Sequence, residues 1–130
     1  MTLSLMFLLA SQAFDLPPDL LRAVCYVEST HIATAYNPHD GGSASHGVCQ
    51  VKFNTAKLLG FKGTAKQLQE APANTFWAAA YLHYQLQRYH GDIIKATAAY
   101  NTGTYKTDQY GVPLNKRYVQ KVLAAWKAGK

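Results

Sequence analysis

One glutamate, Glu28, follows apolar residues on the same face of a predicted helix. Leu21, Val24 and Cys25 precede it at helical spacing. Burial disfavours the charged form of a carboxyl group and raises its pKa, which suits a general acid that works near neutral pH. The commoner role of a helix-end glutamate is a solvent contact or a pairing with lysine. The later segments of the chain favour a catalytic role for Glu28 at the edge of a cleft.

A polar segment, residues 36–47, follows the Glu28 helix and is rich in Asn, His, Gly and Ser. We predict a loop there, because Gly and Asn accept positive φ and Pro prevents a helix from continuing. Ser29 is expected to close the helix end rather than to react, since no Ser-His-Asp arrangement is evident. Asp40 is the acidic residue that this segment brings to the predicted cleft.

Length and composition predict one domain with its own core. A chain of 130 residues buries roughly two-thirds of the surface that its unfolded form exposes. Apolar residues make up 48% and charged residues only 15%, so neutral polar and aromatic groups must cover much of the surface. Such a surface suits a carbohydrate, whose apolar faces and hydroxyl edges are met by Tyr, Trp, Asn and Gln.

The net charge of +6 favours a polyanionic partner. Nucleic acid, a membrane surface and the anionic bacterial wall all satisfy that condition. The basic residues are scattered, however, and cluster only at Lys116, Arg117 and Lys121, so we expect no nucleic-acid partner. No stretch approaches the ~18 apolar residues of a membrane span, so we expect no such span.

The two cysteines, Cys25 and Cys49, form either one disulfide or two buried thiols. Cys25 lies on the apolar stripe and Cys49 lies in a short apolar run, which is the usual environment of an unreactive thiol. We therefore favour free thiols and leave the disulfide open.

Residues 1–13 admit two interpretations. They contain an apolar stretch with an ending similar to a signal-peptidase site, but no basic residue precedes that stretch. As a helix, the segment would form one apolar stripe of Leu3, Met6, Phe7, Ala10, Ala13 and Phe14. We favour a first helix over a signal-like segment.

Capping and breaking residues divide the rest of the chain into short helices. Pro17-Pro18 is predicted to open the Glu28 helix. Two short helices are then predicted, one from Asn54 to a stop at Gly60 and one from Thr64, which forms a capping box with Gln67, to a stop at Pro72. A long helix is predicted from Asn74 to a stop at Gly91, and Asp92 and Asn115 are predicted to cap the last two helices. On the long helix over 74–90, the helical period predicts five residues on the side that faces the core: Phe76, Trp77, Ala80, Tyr81 and Tyr84. The alternation typical of a sheet is missing, which predicts a mainly α class with at most a small β-hairpin in residues 36–53.

Three polar signatures occur in order along the chain: Glu28-Ser29, Gly47-Val48-Cys49-Gln50 and Ala99-Tyr100-Asn101-Thr102-Gly103. Together they resemble the lytic transglycosylases of the soluble-lytic-transglycosylase (SLT) domain family, in the lysozyme-like superfamily. Further matches are Asn74 and Tyr81-Leu82 on the long helix, and Tyr118-Val119 with Val122 on the last helix. The chain departs from the family pattern at Val48-Cys49, where the family has Leu-Met, and at Ala78, where it has Gly.

The resemblance implies both a fold and a site. The fold would be mainly α (α+β lysozyme-like), a single helical catalytic domain over residues 1–130 with a substrate cleft. Glu28 would be the catalytic residue, and Tyr118 would orient its carboxyl group. The other residues expected to bind substrate or to orient the acid are Ser45, Gln50, Tyr100 and Asn101.

The resemblance also implies a reaction. The enzyme would cleave the β-1,4 bond between N-acetylmuramic acid and N-acetylglucosamine in peptidoglycan without water, leaving 1,6-anhydromuramic ends. Glu28 would protonate the glycosidic oxygen and then take the proton of the 6-hydroxyl. Two alternatives stay open: a lysozyme-type hydrolase (muramidase) using Glu28 and Asp40, because ordinary glycosidases need two carboxyl groups, and a non-catalytic cell-wall-binding module.

Cofactor, partner and location are further expectations. We expect no cofactor and no metal site, because the five histidines contain no His-x-x-x-His pair. The expected partner is the peptidoglycan glycan strand, in the bacterial cell envelope or periplasm, or reached there by phage delivery. Residues 37–45 further resemble the small specialised members that accompany secretion, conjugation or phage assemblies.

Overall fold

Helices form most of the structure, a computed structural model that describes residues 1–40 and 42–130. Within those residues the elements are, in chain order, α1 (Leu3–Ala13), α2 (Leu20–Ser29), β1 (Tyr36–Asp40), β2 (Ser43–His46), β3 (Val51–Lys52), α3 (Phe53–Leu58), α4 (Ala65–Gln69), α5 (Ala71–Arg88), α6 (Ile93–Thr102) and α7 (Lys116–Ala128). The predicted mainly α class is confirmed. No helix in this part of the chain combines the length and the hydropathy that a membrane crossing requires.

The core is built around α2, which packs against α7 and α5. Leu20, Leu21 and Val24 of α2 have no exposed surface, and complete burial of one such side chain contributes about 1.5–3 kcal/mol. Val122 of α7 and Leu82 of α5 are buried to the same degree. The helix that ends with Glu28 and Ser29 is therefore held firmly in the core.

Two predictions about α5 are wrong. Pro72 does not stop α4 but lies in the first turn of α5, where its missing N–H has no intrahelical partner. Phe76 and Tyr84, predicted to face inward, are 41% and 48% exposed, whereas Ala78 and Ala79 are fully buried. Small side chains occupy this face because α1 and α6 pack on α5, and the larger rings are left at its rim.

Local capping signals decide where the short helices start. Thr64 forms the predicted capping box with Gln67, and the Asp92 carboxylate accepts a hydrogen bond from a first-turn N–H of α6 at 2.9 Å. Both predictions are confirmed. The predicted cap at Asn54 is wrong, because α3 begins one residue earlier, at Phe53, directly after β3.

The polar segment after α2 contains two strands where the sequence predicts a loop. β1 and β2 form the small hairpin expected within residues 36–53, with Asn37 opposite Ser45. β3 extends it to three antiparallel strands, with Lys52 opposite Ser45. Most of β1 is exposed, so its sequence lacks the apolar alternation that indicates a strand with one buried face.

The prediction of free thiols is wrong, because Cys25 and Cys49 form a disulfide. The buried face of α2 lies directly against the segment between β2 and β3, and the two Cα atoms are 4.3 Å apart. Both cysteines are fully buried. Burial was the argument for unreactive thiols, but it is equally compatible with a disulfide, and sequence spacing does not reveal the proximity.

The first segment of the chain is helical. Thr2 caps α1 by accepting a hydrogen bond from the Leu5 N–H at 3.1 Å, and Phe7 and Ala10 are buried. The helix packs against α5 and α2.

Asn74 of α5 fixes the turn between β2 and β3 through main-chain atoms. Its side-chain amide donates to the carbonyls of His46 and Leu68 at 2.7 and 2.9 Å and accepts from the Cys49 N–H at 2.8 Å. Gly47 passes so close that a Cβ atom built on it would lie 2.5 Å from Asn74 Cγ. The turn thus requires glycine for its space as well as for its φ of +79°.

We expect Gly47→Ala to lower the free energy of unfolding by about 3 kcal/mol. The left-handed backbone contributes about 1–2 kcal/mol of strain to that loss, and the collision with Asn74 adds about 1–3 kcal/mol. Gly91→Ala is the matched control, because Gly91 has a φ of +82° but nothing within 4 Å of its would-be Cβ. Urea unfolding of both variants measures the difference, and equal losses would contradict the contact with Asn74.

Candidate active site

Glu28 lies in the last turn of α2, where the helix reaches a cleft. The helix ends there because Thr30 and His31 both adopt positive φ. The Ser29 hydroxyl donates to the Val48 carbonyl at 2.7 Å and accepts from the Ile32 N–H at 3.0 Å. Ser29 therefore closes the helix end and joins it to the β2–β3 turn, which confirms its predicted structural role.

The cleft runs between the small sheet and the α5–α6 pair. Polar and aromatic side chains dominate its walls, as the composition suggests for a carbohydrate site. The lining residues are Glu28, Asp40, Gln50, Val51, Lys52, Thr55, Tyr81, Tyr100, Asn101, Thr102 and Gly103.

Tyr118 holds the carboxyl group of Glu28 from the side of α7. Its hydroxyl donates to Glu28 Oε2 at 2.7 Å. Burial raises the pKa of Tyr118 well above its ordinary value, and the nearby Glu28 charge and the hydrogen bond to it raise the pKa further. Tyr118 therefore stays protonated and acts as a hydrogen-bond donor to the carboxyl group.

Burial raises the pKa of Glu28 from 4.5 to about 7. The residue touches the cleft on one side, but its carboxyl group is otherwise packed among protein atoms, which disfavours the charged form. The Tyr118 hydrogen bond and the Lys52 charge lower the pKa, whereas the Asp40 charge raises it. Glu28 can thus hold a proton at neutral pH and release it at small cost, which is the property of a general acid and base.

Tyr100 of α6 lines the cleft beside this carboxyl group. Its hydroxyl donates to the Cys49 carbonyl at 2.8 Å, and burial, followed by the charge of Glu28, raises its pKa well above the ordinary value. The phenol is therefore neutral, and its hydroxyl is hydrogen-bonded to the main chain of the β2–β3 turn. It contributes an apolar ring face and a fixed wall to the cleft.

Gln50 and Asn101 both line the cleft. Gln50 has a φ of +51°, and its amide donates to the Gly47 carbonyl at 2.9 Å. Asn101 accepts from the Asn115 amide at 3.0 Å. Asn115 is the N-cap residue of α7, as predicted, but its side chain forms no capping bond and its amide donates to Asn101 and to the Ala98 carbonyl instead.

Ser45 lies behind Asp40 rather than beside Glu28. Its side chain is fully buried in β2, and its hydroxyl donates to an Asp40 carboxylate oxygen. Ser45 is not among the cleft-lining residues. The structure therefore joins Ser45 to the second acidic residue of the cleft, and only Asp40 presents a functional group there.

Sequence reasoning did not identify several residues of the cleft. Lys52 lies in β3, within the segment where the sequence predicts at most a small hairpin, but it was not predicted to line the cleft. Tyr81 was taken as a core residue from its helical period, yet it forms part of the cleft wall. The other lining residues that were not predicted as site residues are Val51, Thr55, Thr102 and Gly103.

Within the described residues, no group of three His, Cys, Asp or Glu side chains is placed to hold a metal ion. His31 Nε2 lies 2.9 Å from the Arg22 carbonyl, and His46 Nδ1 lies 3.3 Å from Gln69 Oε1. These two histidines therefore contact neighbouring structural groups.

Comparisons with known proteins agree with the arrangement. Residues 6–122 match the family described as Transglycosylase SLT domain. The fold is similar to that of an inactive glutamate-to-glutamine mutant of the lytic transglycosylase Slt from Pseudomonas aeruginosa. The TM-score is 0.84 at 20% sequence identity, over 97% of this chain and 23% of that one. The predicted lysozyme-like fold is therefore confirmed.

Two curated relatives are the proteins named IpgF in Shigella flexneri and Shigella sonnei. Each is 28% identical to this chain over 96 residues, which cover 73% of this chain. The matched region spans 63% of the length of each relative.

The raised pKa of Glu28 predicts a pH-dependent effect of Glu28→Gln on stability. The folded chain binds the Glu28 proton more tightly than the unfolded chain. Its stabilising contribution is therefore complete below pH 4.5 and is lost as the pH rises through about 7. The glutamine variant has no such dependence. The free energy of unfolding of this variant, compared with that of the wild type, should therefore rise by up to about 3 kcal/mol when the pH is raised from acidic to mildly alkaline.

Urea unfolding at both pH values measures this gain. Glu70→Gln is the matched control, because Glu70 is exposed and its substitution should give the same difference from the wild type at both values. A Glu28→Gln effect that does not change with pH would show that the folded carboxyl group titrates normally.

Proposed function

Because the chain belongs to the transglycosylase SLT domain family, we propose that it is a lytic transglycosylase acting on peptidoglycan. It would cleave the β-1,4 bond between N-acetylmuramic acid and N-acetylglucosamine and leave a 1,6-anhydromuramic end. The observation that carries the proposal is the protonatable Glu28 carboxyl group, held by Tyr118 in a polar cleft.

Glu28 acts first as an acid. Tyr118 donates to Oε2, which leaves the proton on Oε1 and directs it to the glycosidic oxygen of the bound glycan. Proton transfer lets the glycosidic bond break, and the N-acetyl group of the muramic acid stabilises the cationic carbon. The neutral polar side chains of Gln50 and Asn101 hold the sugar while its charge develops.

Glu28 acts next as a base. The carboxylate formed in the first step takes the proton of the 6-hydroxyl of the same muramic acid, and that oxygen closes the anhydro ring. The proton removed equals the proton donated, so Glu28 ends protonated and ready for another cycle. A carboxyl group with a pKa of about 7 suits both directions of transfer.

Asp40 supports a second candidate reaction, hydrolysis. It lines the same cleft, and its carboxylate accepts a hydrogen bond from the buried Ser45 hydroxyl, which fixes its position. A second carboxyl group opposite an acid is what a hydrolase needs to guide water or to stabilise the charged sugar. The two reactions differ in their products, which are one water apart in mass.

Three features support the bacterial envelope as the site of action. The disulfide indicates an oxidising compartment. The net charge of +6 suits an anionic wall. The resemblance of residues 37–45 to specialised members suggests that the chain opens the wall for a secretion, conjugation or phage assembly.

Glu28→Gln should lower turnover of purified peptidoglycan by at least a factor of about 100, because the variant loses general acid and base catalysis. Mass spectrometry of the wild-type products should show anhydro ends. Glu70→Gln, on the exposed surface, should keep full activity. Reducing ends in the wild-type digest, together with inactivity of Asp40→Asn, would favour hydrolysis, and binding without any product would indicate a wall-binding module.

The charges beside Glu28 should shift the pH profile in opposite directions. Activity requires protonated Glu28 and falls on the alkaline side as that proton is lost. Lys52→Gln removes a charge that lowers the pKa and should move the alkaline limb to higher pH, whereas Asp40→Asn should move it to lower pH. Lys57→Gln, at an exposed lysine, is the control and should leave the limb in place. Shifts of the same sign in both cleft variants would contradict the assignment.

A further inference from the structure

We propose that the Cys25–Cys49 disulfide positions the catalytic site. It holds the β2–β3 turn, which carries Gln50, against α2, which carries Glu28. The inference rests on the proposed function and extends it to two residues that do not touch substrate. It predicts that the chain reaches full activity only in its oxidised form.

The disulfide connects α2, which carries the acid Glu28, to the β2–β3 turn. Cys25 precedes Glu28 by three residues, close to one turn of α2, and Cys49 is the residue directly before Gln50. Gln50 lines the cleft together with Glu28. One covalent bond thus ties the two sides of the site together at their base.

The main chain of Cys49 is also hydrogen-bonded to α5 and to α6. Its N–H donates to the Asn74 side chain of α5 at 2.8 Å, and its carbonyl accepts from the Tyr100 hydroxyl of α6 at 2.8 Å. Tyr100 also lines the cleft. A displacement of Cys49 would therefore move a wall of the site and leave a buried phenol without its partner, which is unfavourable.

The hydrogen bonds that join this turn to the end of α2 and to the residues just after it act one or two positions further from Gln50 than the disulfide does. The Gly47 N–H donates to the Ala35 carbonyl at 2.8 Å, and the Ser29 hydroxyl donates to the Val48 carbonyl at 2.7 Å. They hold the two residues before Cys49. The disulfide acts at Cys49 itself, so it most directly determines how close Gln50 stays to α2.

Reduction would disturb this arrangement through packing as well as connectivity. It adds two electrons and two protons and leaves two thiols, whose sulfur atoms need more separate space than bonded sulfurs do. Both cysteines have no exposed surface, and a closely packed core resists added volume. The turn must therefore move away from α2, and water gains access to the Glu28 pocket.

The first test compares the oxidised wild type with Cys25→Ala/Cys49→Ala on soluble glycan strands. We expect kcat to fall about tenfold, because catalytic geometry is sensitive to small displacements, whereas KM should change less than twofold. Water near Glu28 should also move the alkaline limb of the kcat profile to lower pH. A change in stability alone would not shift that limb.

Thr64→Ala is the matched control for lost stability. It removes the N-terminal cap of α4 at a distance from the cleft lining and is expected to cost about 1 kcal/mol. It should keep the wild-type kcat and pH profile. A folded cysteine double variant that also keeps both would overturn the proposal.

A second measurement covers the case in which the double variant does not fold. The wild type is reduced with a dithiol, its two thiols are counted by alkylation and intact mass, and its helical content is followed by circular dichroism. The proposal expects a folded, weakly active chain whose activity returns on reoxidation. A reduced chain that unfolds, or one that stays fully active, would overturn it. Absence of products from the oxidised wild type would instead contradict the proposed function itself.

Discussion

The hydrogen bond between Tyr118 and Glu28 is the interaction on which the site depends, because it makes burial of the carboxyl group tolerable. A buried carboxyl group without a partner is costly in either protonation state. Tyr118 supplies one neutral donor at 2.7 Å, which stabilises the carboxylate without neutralising it as a salt bridge would. Close packing of α2 on α7 is therefore a requirement of the chemistry as well as of the fold.

The turn between β2 and β3 is the second determinant of the site. It accepts hydrogen bonds from Ser29 of α2 and Tyr100 of α6, donates one to Asn74 of α5, and is joined to α2 by a disulfide. These contacts come from helices that are far apart in sequence but meet in the core. The cleft consequently has one wall whose position is determined jointly by three helices, which suits the orientation of a glycan in the proposed reaction.

The sequence allowed much of the fold and the position of the acid to be predicted, because helical periodicity, caps and short family motifs are local signals. Glu28, Thr64 and Asp92 were found in this way. The disulfide and the Asp40–Ser45 pair were not found, since both depend on contacts between segments that periodicity does not describe. Lys52 and Tyr81 were missed as cleft residues for a related reason. A strand of two residues such as β3 is too short for an alternating pattern to show which side its residues face, and a residue at the border of core and cleft has the same helical period in either role.

The amide of Asn74 has a consequence for variation within this family. Its two N–H groups and its carbonyl oxygen contact main-chain atoms at three points. Aspartate lacks the donors and leucine lacks both kinds of group, so neither can replace it. Because these three contacts reach only main-chain atoms, the hydrogen bonds that hold the turn do not depend on the side chains at positions 48 and 49. The requirement for one amide at position 74 is therefore separate from the requirement for a disulfide at position 49.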